Sequence, residues 1–288
     1  MASSAFDSLG GSSTEDLFTN VADKRQAHTY LFYGGQGTGK TYTAMTSEDE
    51  PIYIIDTEMR SDLTAGEQFP DKNILVYEPV EINFEDVDPD NPLDDAIDIP
   101  ATLDNLNNAV ISLVNGYRNG DLEGGTVIVD SVTDLWDWVM EAGKLRLMEA
   151  NGVDEATFRL ENQMDWGGIK SRHYKIITGL RVLTKKYGVN VILTAREKER
   201  PEYADGGGEH YIKCENSVPF MSGVNIRFTK EARKGQIRHI AKFDKIASNN
   251  QPDIEMVDPT FSEILEAVET GEIPDNSTQE GKESDGGF

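Results

Sequence analysis

Residues 30–45 read YLFYGGQGTGKTYTAM, and within them Gly34-Gly35-Gln36-Gly37-Thr38-Gly39-Lys40-Thr41 satisfies G-x-x-x-x-G-K-[ST] in full. The β-rich run TYLFY precedes the loop and a helix is expected to begin inside it, the strand–loop–helix context the motif requires. Glycines let successive backbone N–H groups turn inward on a phosphate. Lys40 then reaches the β/γ oxygens, and the Thr41 hydroxyl is positioned to ligate Mg²⁺. The nucleotide-binding set is therefore Gly34, Gly35, Gln36, Gly37, Thr38, Gly39, Lys40 and Thr41, with Tyr42 adjoining, and the expected cofactors are ATP and Mg²⁺.

Outward from this loop, four more β-rich runs follow, PIYIID, NILVY, TVIVD and NVILTA, separated by helical stretches. That alternation predicts an α/β fold with a mostly parallel central sheet flanked by helices. Leu103, Leu106, Val110 and Leu113 recur at helical spacing and predict a helix over 102–117. Residues 81–98 are acidic, carry prolines and read as a solvated surface loop. Two further runs, VNIRFT and IRHIAKF, flank a basic turn and predict a closing β-hairpin. The expected organisation is a flexible lead-in over 1–27, an ATPase core over 28–268 and an acidic tail over 269–288.

The charge is uneven, with 52 acidic against 27 basic residues and a formal net charge of -25. In molar salt the Debye length shrinks to about 3 Å and removes most of the self-repulsion. The composition therefore fits a salt-rich cytoplasm; an ordinary acidic protein with its charge in tails and insertions is the alternative. No apolar stretch approaches the roughly 18 residues of a membrane span, and no signal-like N-terminus is present. A cytoplasmic protein without a membrane partner is expected. The lone Cys214 excludes an intrachain disulfide, and His28, His173, His210 and His239 are scattered without metal-ligand spacing.

Two carboxylates complete the catalytic reading. Thr126-Val127-Ile128-Val129-Asp130 is an apolar strand ending in an acid, the form in which an Asp holds Mg²⁺ through water. The strand PIYIID runs on as Asp56-Thr57-Glu58, which puts Glu58 at the sheet edge where it can activate the attacking water. Arg196, at the end of the fifth strand, would project toward the γ-phosphate if that strand lies beside the P-loop strand; an ordinary surface arginine is the alternative.

Together these residues resemble the RecA/RadA recombination ATPases. They resemble more closely the compact RecA-like ATPases of phages and archaeal viruses associated with single-strand annealing and recombination. The likeness covers about 29–247. It implies a RecA-like core in which Glu58, in IIDTE, is the catalytic base and Asp130-Ser131 ends the Walker B strand. The family's fifth strand commonly ends in a glutamine that senses the γ-phosphate, where this chain has Arg196. The likeness also implies a loop over 197–222 facing single-stranded DNA, Lys242 or Lys245 reaching nucleotide across a subunit boundary, and self-assembly into a homo-oligomer.

Lys198, Arg200, Lys213, Arg227, Lys230, Arg233, Lys234 and Arg238 cluster around the last two strands, with Tyr203, Tyr211 and Phe220 among them as stacking candidates. A charge-mixed surface is the competing reading. The terminal ESDGGF is similar to the acidic tip with which bacterial single-strand binding proteins recruit partners, and a single-strand binding protein is a candidate partner; a disordered acidic tail is the competing reading. Two other functions stay open: a nucleotide-gated scaffold with little turnover, and a small-molecule kinase, against which no Arg-rich lid is evident.

Overall fold

Strand β1 (Thr29–Gly34) is buried along its whole length, and its pleat sorts the side chains into two layers. Tyr30 and Phe32 join Ile52, Ile54, Ile128 and Ile192 on one face of the sheet, while Leu31 and Tyr33 join Ile55, Val127, Val129, Val191 and Leu193 on the other. A sheet apolar on both faces needs helices on both faces. The computed structural model supplies them; it describes residues 27–83, 96–154, 158, 163–200, 208–233, 235–247 and 253–274.

On the Tyr30 side lie α1 (Lys40–Met45), α2 (Ser61–Gln68) and, near the C-terminus, α7 (Phe261–Thr270). The Leu31 side is covered by α3 (Ile99–Asn119), α4 (Val132–Asn151) and α5 (Gln163–Tyr187). Helix α3 buries Leu103, Leu106 and Val110 as its spacing predicts, but it begins three residues before 102. Asp98 caps its N-terminus by accepting from the Ala101 N–H at 2.9 Å, and Pro100 is tolerated in the first turn, where its missing N–H has no helical partner.

The other strands are β2 (Ile52–Asp56), β3 (Ile74–Tyr77), β4 (Thr126–Asp130), β5 (Asn190–Glu199), β6 (His210–Lys213), β7 (Val224–Arg233), β8 (Gln236–Ile246) and β9 (Glu255–Val257). They form one sheet in the order β3-β2-β4-β5-β1-β7-β8-β9, with β6 paired to β5. From β3 to β7 the neighbours are parallel; β8 and β9 close the sheet antiparallel. The expected fold class is observed, and β5 does lie beside the P-loop strand. The register sets Gly34 opposite Arg196 and Asp56 opposite Asp130. Loops leaving the carboxyl ends of these strands therefore gather at one edge, where ligands of open α/β sheets bind.

The segment 197–222 departs from the expected loop. Strand β5 runs on to Glu199 and pairs antiparallel with β6, Arg196 opposite Lys213 and Glu199 opposite His210, and a short helix α6 (Val218–Met221) follows. The backbone groups of 197–199 find ladder partners in this arm, where a loop would leave them to water. Tyr203 and Lys234 lie outside the described residues, as do 84–95 of the acidic segment, whose flanks Ile82 and Ile97 form a bridge. The expected lead-in and most of the expected tail lie outside them too.

Candidate active site

The P-loop leaves β1 at Gly34, where a Cβ would fall 2.0 Å from the Phe228 carbonyl oxygen of β7, so no larger residue fits. It closes at Gly39, whose φ of 92° is left-handed, directly before α1 starts at Lys40. Within the loop, Thr38 Oγ1 donates to the Gly35 carbonyl at 2.9 Å. Lys40 Nζ lies over the loop and donates to the carbonyls of Gly34 and Gly35 at 3.2 and 2.8 Å. Burial pulls the Lys40 ammonium below its usual value, against the raising pull of Asp130 and Glu58.

Asp130 ends β4 nearly buried and is surrounded by hydroxyl donors. Thr41 Oγ1 donates to its Oδ2 at 2.7 Å and Ser61 Oγ at 3.4 Å, while Thr194 of β5 donates to Oδ1. Burial raises the Asp130 carboxyl, opposed by the Thr194 and Thr41 hydrogen bonds. Asp56, one strand away, is wholly buried and accepts three backbone N–H groups: Glu58 at 3.0 Å, Arg60 at 2.7 Å and Ser61 at 2.6 Å. One carboxylate thus shapes the whole turn that carries Glu58.

Glu58 does not stand alone. Arg196 meets its Oε1 through Nε at 3.0 Å and Nη2 at 2.9 Å, and Arg60 pairs with its Oε2. Burial alone would raise the Glu58 carboxyl, but the hydrogen bonds and charges of Arg60 and Arg196 outweigh it and hold it below the usual range. Arg196 also reaches Asp134 Oδ2 at 2.9 Å, and its backbone N–H donates to Thr133 Oγ1 at 2.9 Å. The sequence put Arg196 toward the γ-phosphate; in the structure its guanidinium is divided between two carboxylates.

One cleft of about 1190 Å³ is lined by Gln36 to Tyr42, Thr57, Glu58, Arg60, Asp130, Asp134 and Arg196, together with Ile97, Ile99, Trp138 and Lys198. Tyr42 is half exposed there, its ring 5.1 Å from that of Phe69. The P-loop geometry and the cleft's size fit a nucleoside triphosphate. Among the described residues, no group of three or more His, Cys, Asp or Glu could hold a metal ion. The adjacent Thr41 and Asp130 oxygens nonetheless fit Mg²⁺, which takes few protein ligands and completes its shell with phosphate oxygens and water.

A protein family described as AAA domain matches residues 26–219, which include every residue of the P-loop and both candidate carboxylates. The chain belongs to this AAA-domain family. It is a P-loop ATPase. Among solved structures, a KaiC-like protein of the hyperthermophilic archaeon Pyrococcus horikoshii OT3 is similar over 80% of this chain and 84% of its own, at 15% identity and a TM-score of 0.40. No curated protein matches the chain. No described helix of this AAA-domain protein is long and apolar enough to cross a membrane.

Several functional neighbours escaped the sequence reading. Arg60, Ser61 and Asp134 had no motif; the only sign of Asp134 was an acid in the first turn of the helix after Asp130. The closing hairpin also touches the P-loop, with Lys230 Nζ donating to the Gln36 carbonyl at 3.2 Å and the His239 ring against Gly39. Three members of the basic cluster are paired within the chain: Lys213 with Asp137, Arg227 with Glu197, and Arg238 with Asp258. Lys245, one of the two lysines that the likeness would have reach nucleotide across a subunit boundary, donates within the chain to the carbonyls of Pro219, Phe220 and Ser222 around the end of α6. Lys242 is exposed on β8. Of the four histidines, His173 is wholly buried, its pKa lowered to about 4 by burial.

Proposed function

We propose that the chain hydrolyses ATP with Glu58 as the general base, and that single-stranded DNA is the polymer whose binding the hydrolysis serves. The observation that carries the first part is the parallel register, which brings Lys40, Thr41, Asp130 and Glu58 to one cleft. Lys40 trades the Gly34 and Gly35 carbonyls for β/γ oxygens, which are charged and so stronger acceptors. Thr41 and Asp130 would hold Mg²⁺, whose positive charge would offset that of the triphosphate. Glu58 takes the proton of the attacking water as the bond from the γ-phosphorus to the β–γ bridging oxygen breaks, releasing ADP and phosphate. Glu58 must first be freed from Arg60 and Arg196, which otherwise weaken it as a base.

For DNA, the support is narrower than the residue count suggested. Phe220 is 83% exposed, and Tyr211 lies beneath Arg200 with Lys198 nearby on the same arm. These side chains suit stacking on splayed bases. A role in viral recombination or replication and assembly into a homo-oligomer rest on the family likeness alone, and recruitment through ESDGGF on its likeness to the tips of single-strand binding proteins. The test is ATP turnover without DNA, with single-stranded DNA and with duplex, each at low and molar salt. Stimulation by the single strand is the expected result, and its absence in both salts removes DNA from the reading.

One observation favours a second reading. A base held by two arginines suits a slow enzyme, and hence a nucleotide-gated scaffold. Size-exclusion chromatography with and without ATP, run beside phosphate release, separates the two: assembly without turnover selects the scaffold.

A further inference from the structure

We infer that Asp134 is a positioning residue for the base, a second seat to which the Arg196 guanidinium withdraws when Glu58 is freed. The inference rests on the reading of Glu58 as the base. Nη2 of Arg196 is already equidistant from the two carboxylates, 2.9 Å from Glu58 Oε1 and 2.9 Å from Asp134 Oδ2. Only the Nε contact at 3.0 Å ties the guanidinium additionally to Glu58. A rotation at the end of a side chain that is 44% exposed can therefore exchange one carboxylate for the other.

The seat itself is rigid. Asp134 Oδ2 accepts from Ser131 Oγ at 2.9 Å and Thr57 Oγ1 at 3.3 Å, which anchor it to the end of the metal-site strand and to the turn that bears Glu58. The root of the arginine is rigid too, because its backbone N–H is held by Thr133 Oγ1 at 2.9 Å. What is free to move is the guanidinium, between two carboxylates whose side chains are only 12% and 17% exposed. Without Asp134, leaving Glu58 would cost Arg196 its remaining carboxylate, and the base would stay bound. Arg196 also opens the β5–β6 arm, so whatever binds that arm acts on the residue that shifts.

The test is a cycle of steady-state ATP hydrolysis by the full chain carrying Asp134→Asn, Arg196→Ala, or both. Asp134→Asn is expected to lower kcat about tenfold, the size of a strong pairwise coupling, with KM for ATP within about twofold. The double variant is expected to match Arg196→Ala alone, because Asp134 acts only through Arg196. Asp134→Glu, which keeps the charge, should hold most of the wild-type kcat. A loss from Asp134→Asn that persists undiminished in the Arg196→Ala background, or no loss at all, overturns the inference. Binding of a fluorescent ATP analogue to each variant checks that the fold is intact; should Asp134→Asn fail it, Asp134→Glu against Arg196→Ala decides alone, and a kcat for Asp134→Glu as low as tenfold down overturns the proposal. Wild-type turnover that survives Glu58→Gln sinks the reading of the base instead, and is a different result.

Discussion

Arg196 Nε and Nη2 converge on a single oxygen of Glu58, at 3.0 and 2.9 Å, although 138 residues separate the two in the chain. The pairing follows from two strand ends meeting at one sheet edge, and with Arg60 it leaves the proposed base held by two arginines.

Replacing Glu58 by Gln keeps the shape of this pairing and removes the proton acceptor. Nucleotide binding should be retained while turnover falls by roughly 10²- to 10⁴-fold, the contribution typical of a general base. Phosphate release measured beside the affinity for an ATP analogue checks it, and undiminished turnover removes Glu58 from the mechanism.

The pH profile has a direction that can be worked out. The Glu58 carboxyl is held below its usual range, so its charged form persists as pH falls through the ordinary glutamate value and is lost only further down. The acid limb of kcat/KM, which reports the free enzyme in which both arginines still hold Glu58, should accordingly lie below the usual glutamate range. In Arg196→Ala that limb should move upward, because one of the two arginines that oppose the effect of burial is gone.

Thr41→Val keeps the volume and removes the hydroxyl that meets Asp130 at 2.7 Å. Affinity for ATP should fall by about tenfold or more with Mg²⁺ present, consistent with the loss of one strong polar ligand, and much less when EDTA is added. Titration of the variant with and without the metal reads this directly; equal losses in both conditions would remove Thr41 from the metal site.

Phe220→Ala should weaken single-stranded DNA binding by about 1–3 kcal/mol if one base stacks there, and leave thermal stability unchanged because the ring is 83% exposed. Since Lys213, Arg227 and Arg238 are already neutralised by acids of the same chain, the dependence of that affinity on salt should be shallow. A steep salt dependence would mean that these ion pairs open on binding.

Leu106→Ala, in the layer between α3 and the sheet, should cost about 2–5 kcal/mol in a denaturant titration. The ATPase of the folded fraction should survive, because Leu106 is not among the residues that line the cleft.

The P-loop, the strand-ending acids and the α/β alternation were legible in the sequence because each is local. A phosphate cradle needs its glycines, lysine and threonine consecutively, and a buried parallel strand must be apolar throughout. From that alone the fold class, the nucleotide site and the candidates Lys40, Thr41, Asp130 and Glu58 followed. What surrounds them was not legible. Asp134 meets Arg196 across 62 residues, Asp56 shapes the Glu58 turn through backbone N–H groups that no motif records, and the basic residues of the last strands pair with acids far away in the chain. Segment 197–222 reads as polar loop because edge strands gain stability from ladder hydrogen bonds more than from an apolar pattern. The sequence by itself determined the P-loop motif and the apolar strands that end in acids, since both are carried by neighbours along the chain. Only the tertiary structure decided which charges meet, because sheet register brings distant strand ends within hydrogen-bond distance and converts a count of arginines and carboxylates into specific pairs.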